Sequence, residues 1–231
     1  MEKTRLRIRF TKQGDLRWIS HRDLARVWER LLRRANLKMA FSQGFHPKPR
    51  ISFPSALALG VEALEEIVEL EILGSFDLTQ IEENIREQLP EGMKLIALDS
   101  PNYGLGKAKV SGTTYRIQIP DAKKAGLQTR IDDLLQQESV TVSREKRDVS
   151  VLTEDPFFEV RLEDFYLFFS IPHDPSGALR PSELLGQLGL EELLTDGEVL
   201  QRVRVHMREP EPKTTTVEAE PSEPKAAQSS S

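Results

Sequence analysis

Residues 4–10, TRLRIRF, put Leu6, Ile8 and Phe10 on one side of an alternating run and Arg5, Arg7 and Arg9 on the other. A period of two predicts a strand with one face in a core and the other in water. After a TKQGD turn, Ser20 stands three residues before Asp23, a capping-box arrangement that marks a helix start. Leu24, Val27, Trp28, Leu31, Leu32 and Ala35 follow at helical spacing, so one face is core and the helix ends near Asn36. The opposite face carries Arg22, Arg26, Arg30 and Arg33, with Arg34 at its flank.

A short strand is expected at Lys38–Phe41, then the loop SQGFHPKPR (Ser42 to Arg50) and an apolar run to Leu59 that looks ready to be buried. EEIVELEIL, from Glu65 to Leu73, alternates again and predicts a strand. FDLTQIEENIREQL carries an Asp77 or Thr79 cap and apolar Leu78, Ile81, Ile85 and Leu89, predicting a helix, and KLIALDS closes as a strand. The order β-α-β-β-α-β is the split βαβ, or ferredoxin-like, arrangement.

The pattern returns more faintly. TTYRIQI (113–119) predicts a strand, residues 121–137 a helix, and SVTVSRE (139–145) another strand. Residues 157–171 predict a hairpin turning near Glu163–Asp164, RPSELLGQL a short helix, and VLQRVRVHM (199–207) a last strand. The fold class expected is therefore α+β: tandem ferredoxin-like halves with antiparallel sheets, residues 1–106 and 107–208. From Glu209 the chain runs on in Pro, Glu, Ser and Thr, with almost no large apolar residue to offset the entropy of ordering. Residues 209–231 are expected to be a disordered acidic tail.

Charge changes this picture, although the net value of −5 conceals it. Residues 1–60 hold fourteen Lys and Arg against four Asp and Glu, and the remainder eighteen against thirty-three. A basic front end on an acidic chain points to an anionic partner, or to two ends that neutralise each other within the fold. Cysteine is absent, which removes disulfides, thiolate nucleophiles and an iron–sulfur cluster bound by this chain. The N-terminus has no apolar signal region, and no run of about 18 apolar residues occurs. A soluble cytoplasmic protein with no membrane span is expected.

Candidate chemistry is sparse. Ser20, His21 and Asp23 lie too close in sequence to point at one another as a triad, and read better as a cap. His21, His46, His173 and His206 are scattered without metal-ligand spacing, so neither a catalytic set nor a metal or other cofactor is expected. YGLGKAK (Tyr103–Lys109) lacks the full phosphate-loop pattern and reads as a linker between the halves.

The arginine face is the stronger signal. Its guanidinium groups line a stripe roughly 16 Å long, suited to successive phosphates, though a charge run is also what a solvated helix face looks like. In the loop, Gly44 permits a tight turn and Pro47 and Pro49 hold its residues extended. Phe45 and His46 offer flat faces for an unpaired base, and Lys48 and Arg50 offer phosphate contacts. The alternative is a rigid loop whose phenylalanine plugs the core.

The run from Gly14 to Ile72 resembles the radical-SAM-linked protein family, a domain of unknown function (DUF2344). In that family G-D-L-R-(F/W)-x-S-H-x-D precedes an arginine-rich helix, and a G-(F/Y)-(N/H)-P-(H/K)-P loop and L-x-L-G follow. The matching positions here include Gly14, Asp15, Arg17, Ser20, His21, Asp23, Arg33, Ser42, Gly44, Phe45, His46, Pro47, Pro49, Phe53 and Gly60. His46 stands where Asn is common. The resemblance is strong over residues 4–73 and implies a partner, a radical SAM protein encoded nearby. It implies a role in RNA modification only loosely. The chain itself lacks the cysteines of such an enzyme. The expectation is a non-catalytic RNA-binding module whose anion-binding residues are Arg17, His21, Arg22, Arg26, Arg30, Arg33, Phe45, His46, Lys48 and Arg50. A protein–protein adaptor is the alternative, and an RNA-processing enzyme built on His21 and His46 is a third.

Overall fold

The computed structural model describes residues 3–74, 76–101, 108–175 and 177–209. The expected division between halves at 106/107 and residues 210–231 of the expected tail lie outside the described residues.

The first alternating run forms β1 (Lys3–Lys12), and a 3₁₀ turn over Gly14–Trp18 leads to α1 (His21–Arg34). Ser20 is the N-cap: its Oγ accepts the Asp23 amide at 3.1 Å and donates to Asp23 Oδ2 at 2.7 Å. That hydroxyl, with Arg26 beside it, holds the Asp23 carboxyl below the usual carboxylate range. Leu24, Trp28, Leu31 and Leu32 are buried, each contributing about 1.5–3 kcal/mol of transfer free energy. Asn36, in the left-handed region at φ 58°, turns the chain out of the helix.

The expected strand at Lys38–Phe41 is reduced to backbone bonds onto the far end of β3 (Glu62–Leu73), including Ala40 N to Glu71 O at 2.8 Å. The apolar run beyond it forms only β2 (Ile51–Ser52), after which residues 53–60 cross the surface half-exposed. Pro54 has no amide with which to extend the ladder, and the expected burial is only partial: Ile51 and Phe53 pack against one core and Leu57 against the other. α2 (Leu78–Arg86) is capped by Asp77, and β4 (Leu95–Asp99) closes this part.

β5 (Lys109–Gln118) follows. The single helix expected over 121–137 is two, α3 (Asp121–Lys124) and α4 (Leu127–Leu135), because Gly126 between them adopts φ 68°. A hairpin of β6 (Ser139–Val142) and β7 (Val149–Leu152) stands apart as a two-stranded sheet. β8 (Glu159–Glu163) and β9 (Tyr166–Pro172) form the expected hairpin, with Asp164 at φ 53° in its turn. α5 (Pro181–Gln187) and β10 (Gln201–Arg208) complete the described chain.

One mixed sheet runs β4-β1-β3-β10-β5-β9-β8, with β2 also on β3. Its pairs are antiparallel except β3 with β10. β2 and β10 take different lengths of the same strand: β2 pairs Leu70 and Glu69, whereas β10 pairs Glu62 and Ala63. One large core joins α1 and α2 to β1, β3 and β4, and another joins α4 and α5 to β5, β8 and β9. Among the described residues no helix is long and apolar enough to cross a membrane.

Candidate functional site

Two of the motif-bearing segments, residues 14–21 and 53–60, meet at the Glu62 end of β3. Gly14 N donates to Glu62 Oε1 at 2.9 Å, and Gly60 N donates to the Arg17 carbonyl at 2.9 Å. Gly60 sits at φ 81°, and a Cβ there would lie 3.1 Å from the Trp18 ring. The tight turn and the aromatic roof both favour glycine there. At the start of α1, the His21 ring meets Phe53 edge-on, 4.9 Å between centroids at 71°.

Beneath these turns lies a charged cluster that the sequence reading missed. Arg202 is fully buried and pairs with the buried Glu66, and it donates to Ser55 Oγ at 3.0 Å and the Ala56 carbonyl at 3.1 Å. Its Nε donates to no described residue. Lys12, also buried, reaches the carbonyls of Arg17 and Ile19 at 3.4 and 3.5 Å. Burial pushes the Lys12 ammonium down from the ordinary lysine range and raises the Glu66 carboxyl. A signal existed: Lys12 continues the apolar register of Leu6, Ile8 and Phe10, and Glu66 that of Val68, Leu70 and Ile72. A lone charge at a core position marks a buried partner elsewhere.

Of the expected site residues, Arg22, Arg26, Arg30 and Arg33 are exposed on α1. Arg26 pairs with Asp23 at 3.2 Å, whereas Arg22, Arg30 and Arg33 make no ion pair with a described residue. Arg26, Glu29, Arg30 and Arg33 line an open groove of about 350 Å³. A second groove of about 500 Å³ shares Glu29 and Arg33 with it and continues to Asn36, Leu37, Lys38, Met39, Phe41 and Pro49. The helix stripe and the base of the 42–50 loop therefore share one basic surface.

The loop itself is pinned at its neck. Ser42 N donates to the Lys48 carbonyl at 2.8 Å, and Lys48 N donates to Ser42 Oγ at 3.0 Å. Gly44 turns the tip at φ 123°, leaving Phe45 wholly exposed at 103% and His46 and Lys48 in solvent. Phe45 plugs no core.

Neither groove is lined by Arg17, His21, Arg22, Phe45, His46, Lys48 or Arg50. Arg17 turns toward Glu62 at 3.7 Å and lies over the Trp18 ring. Arg50 lines a hollow of about 150 Å³ with Arg5, Glu69 and Glu71, which adjoins the second groove at Pro49. His21 has Phe53 as its ring partner, and His46 makes no ring or ion-pair contact with a described residue, so no partner joins the two histidines. Among the described residues no three His, Asp or Glu side chains converge as metal ligands.

A family model described as an uncharacterized protein conserved in bacteria (DUF2344) matches residues 5–155. No curated protein matches the chain. Among solved structures, the small subunit of acetolactate synthase from Thermotoga maritima is 8% identical, covering 92% of this chain and 99% of that one, at a TM-score of 0.29. An unknown protein from Galdieria sulphuraria is 12% identical, covering 88% of this chain and 100% of that one, also at 0.29. At these TM-scores neither likeness bears on fold or chemistry.

Proposed function

We propose that this chain, which belongs to the DUF2344 family, is a non-catalytic module that binds RNA, tRNA or rRNA, and presents it to a radical SAM enzyme in the cytoplasm. The observation that carries this reading is the meeting of Arg30 and Arg33, which make no ion pair with a described residue, with the base of a loop whose tip bears the wholly exposed Phe45. Guanidinium groups outside an ion pair are available to phosphates, and an aromatic ring in water gains by stacking on a base. A solvated face explains the arginines but not the phenylalanine. We read the sheet as two ferredoxin-like halves, β4-β1-β3-β2 and β10-β5-β9-β8, joined through β3 and β10.

A filter-binding titration against total tRNA tests the reading. Binding is expected at low salt and falls as salt rises, because each neutralised phosphate releases counterions. Arg26→Glu with Arg30→Glu is expected to abolish it. No binding at low salt, or indifference to the double substitution, overturns it.

A second surface favours the radical SAM partner itself. Trp18 and Leu59 remain 61% and 62% exposed on turns that meet at Gly60, two large apolar side chains that a docked partner would cover. Co-purification that survives nuclease and high salt, and is lost in Trp18→Ala, supports docking there. Co-purification that nuclease abolishes makes the association RNA-mediated.

A further inference from the structure

The groove between the end of α1 and the neck of the 42–50 loop combines features that no single bland role requires. Its volume of about 500 Å³ lies within the roughly 300–1,000 Å³ usual for small-ligand sites. Leu37, Met39, Phe41 and Pro49 supply an apolar lining, and Phe41 keeps half its surface in water. Arg33 and Lys38 stand exposed at the same groove without an ion pair to a described residue. Asn36 is fixed at φ 58°, and its side-chain amide bonds to no described residue. Glu29 is the one acid of the lining.

We infer that this groove takes one unpaired nucleobase, with the adjoining phosphate against Arg33 and Lys38; the inference rests on the RNA-binding reading above. An inorganic anion would leave the half-exposed Phe41 without a role. An aliphatic peptide side chain would leave both cations without one. A flat heteroaromatic ring with a negative charge attached uses both sets. The Asn36 amide holds one donor and one acceptor face for a base edge, the pairing geometry by which amide side chains read purines. Glu29 accepts an amino or imino N–H of the ring. The neighbouring groove along Arg26, Arg30 and Arg33 carries the backbone onward, because Glu29 and Arg33 belong to both.

The test compares a short single-stranded oligoribonucleotide with an abasic oligomer of the same phosphate number, by fluorescence anisotropy on the full chain. The natural oligomer is expected to bind about 5- to 150-fold tighter, the span of one stacked base. Phe41→Ala is expected to remove that margin, leaving only the preference that stacking on Phe45 supplies. Asn36→Gly, which tolerates the positive φ, is expected to flatten the preference among the four bases without unfolding the chain. Equal affinity for both oligomers overturns the inference while leaving phosphate binding intact. So does a preference that survives Phe41→Ala undiminished but vanishes in Phe45→Ala, which moves the stacking to the loop tip. Absence of binding by either oligomer overturns the RNA-binding reading itself, and this inference with it.

Discussion

Arg202, in the strand that ends the described chain, is buried against Glu66, in the strand that crosses the first core. The same guanidinium holds Ser55 and Ala56 of the surface-crossing segment, so β10 fixes the backbone between Phe53 and Gly60. Removing either charge strands the other in a dry site. Arg202→Ala is expected to cost about 3–5 kcal/mol. Arg202→Met with Glu66→Leu recovers part of that loss, and adding Lys12→Met, which removes the remaining buried cation, recovers most of the rest. Urea unfolding midpoints measure all three; a single variant as stable as the parent would contradict the buried pair.

Phe45 contributes nothing to the core, so Phe45→Ala is expected to leave the thermal midpoint unchanged. Its RNA affinity should fall by a stacking contribution of about 1–3 kcal/mol. The salt dependence should stay as it was, because no phosphate contact is lost. A changed melting temperature would show that the ring is structural.

Ser20→Ala removes the acceptor for the Asp23 amide at the start of α1. A lost N-cap costs about 0.5–2 kcal/mol, and Ser20→Thr is expected to restore most of it. His21 sits on the first turn beside this cap, so weakened RNA binding in Ser20→Ala that returns in Ser20→Thr would trace to helix fraying. Amide hydrogen exchange at the first turn of α1 reads this directly.

His206 accepts or donates at Thr114 Oγ1, 2.8 Å away, and stands against Phe157. Burial, with Arg204 and Arg9, lowers its pKa, and Glu65 and Glu159 oppose this only in part. The folded chain therefore holds fewer protons than the unfolded one through the ordinary histidine range near about 6.5. Its contribution is present above that range and is lost as pH falls through it toward the lowered folded value. His206→Gln is expected to flatten the stability–pH slope between about pH 7 and 5. An unchanged slope would assign the acid sensitivity to other groups.

Much of this was legible in the chain, for physical reasons that differ by element. α1 was readable in full because a cap, an apolar stripe and a polar face all state one period, and the Asp164 hairpin because its turn interrupts an alternating run. Helix 121–137 was not, since a lone glycine inside a helical pattern leaves open whether the chain bends there. Gly126 does bend it. The run 51–59 misled because apolar content does not show which neighbour has already taken the strand edge. The second groove was invisible for a related reason: Asn36, Lys38, Met39 and Phe41 carry no motif, and only the turn at Asn36 brings them beside Arg33.

The division of one β3 edge between β2 and β10 has a consequence for cutting this protein apart. Residues 1–106 expressed alone would carry an open row of amides and carbonyls along the first residues of β3, with Glu66 and Lys12 uncovered beside it. Such a fragment offers a ready template for a second copy of itself. Order along the chain thus does not make residues 1–106 a separable module: β10, distant in sequence, caps a sheet edge that β3 leaves open.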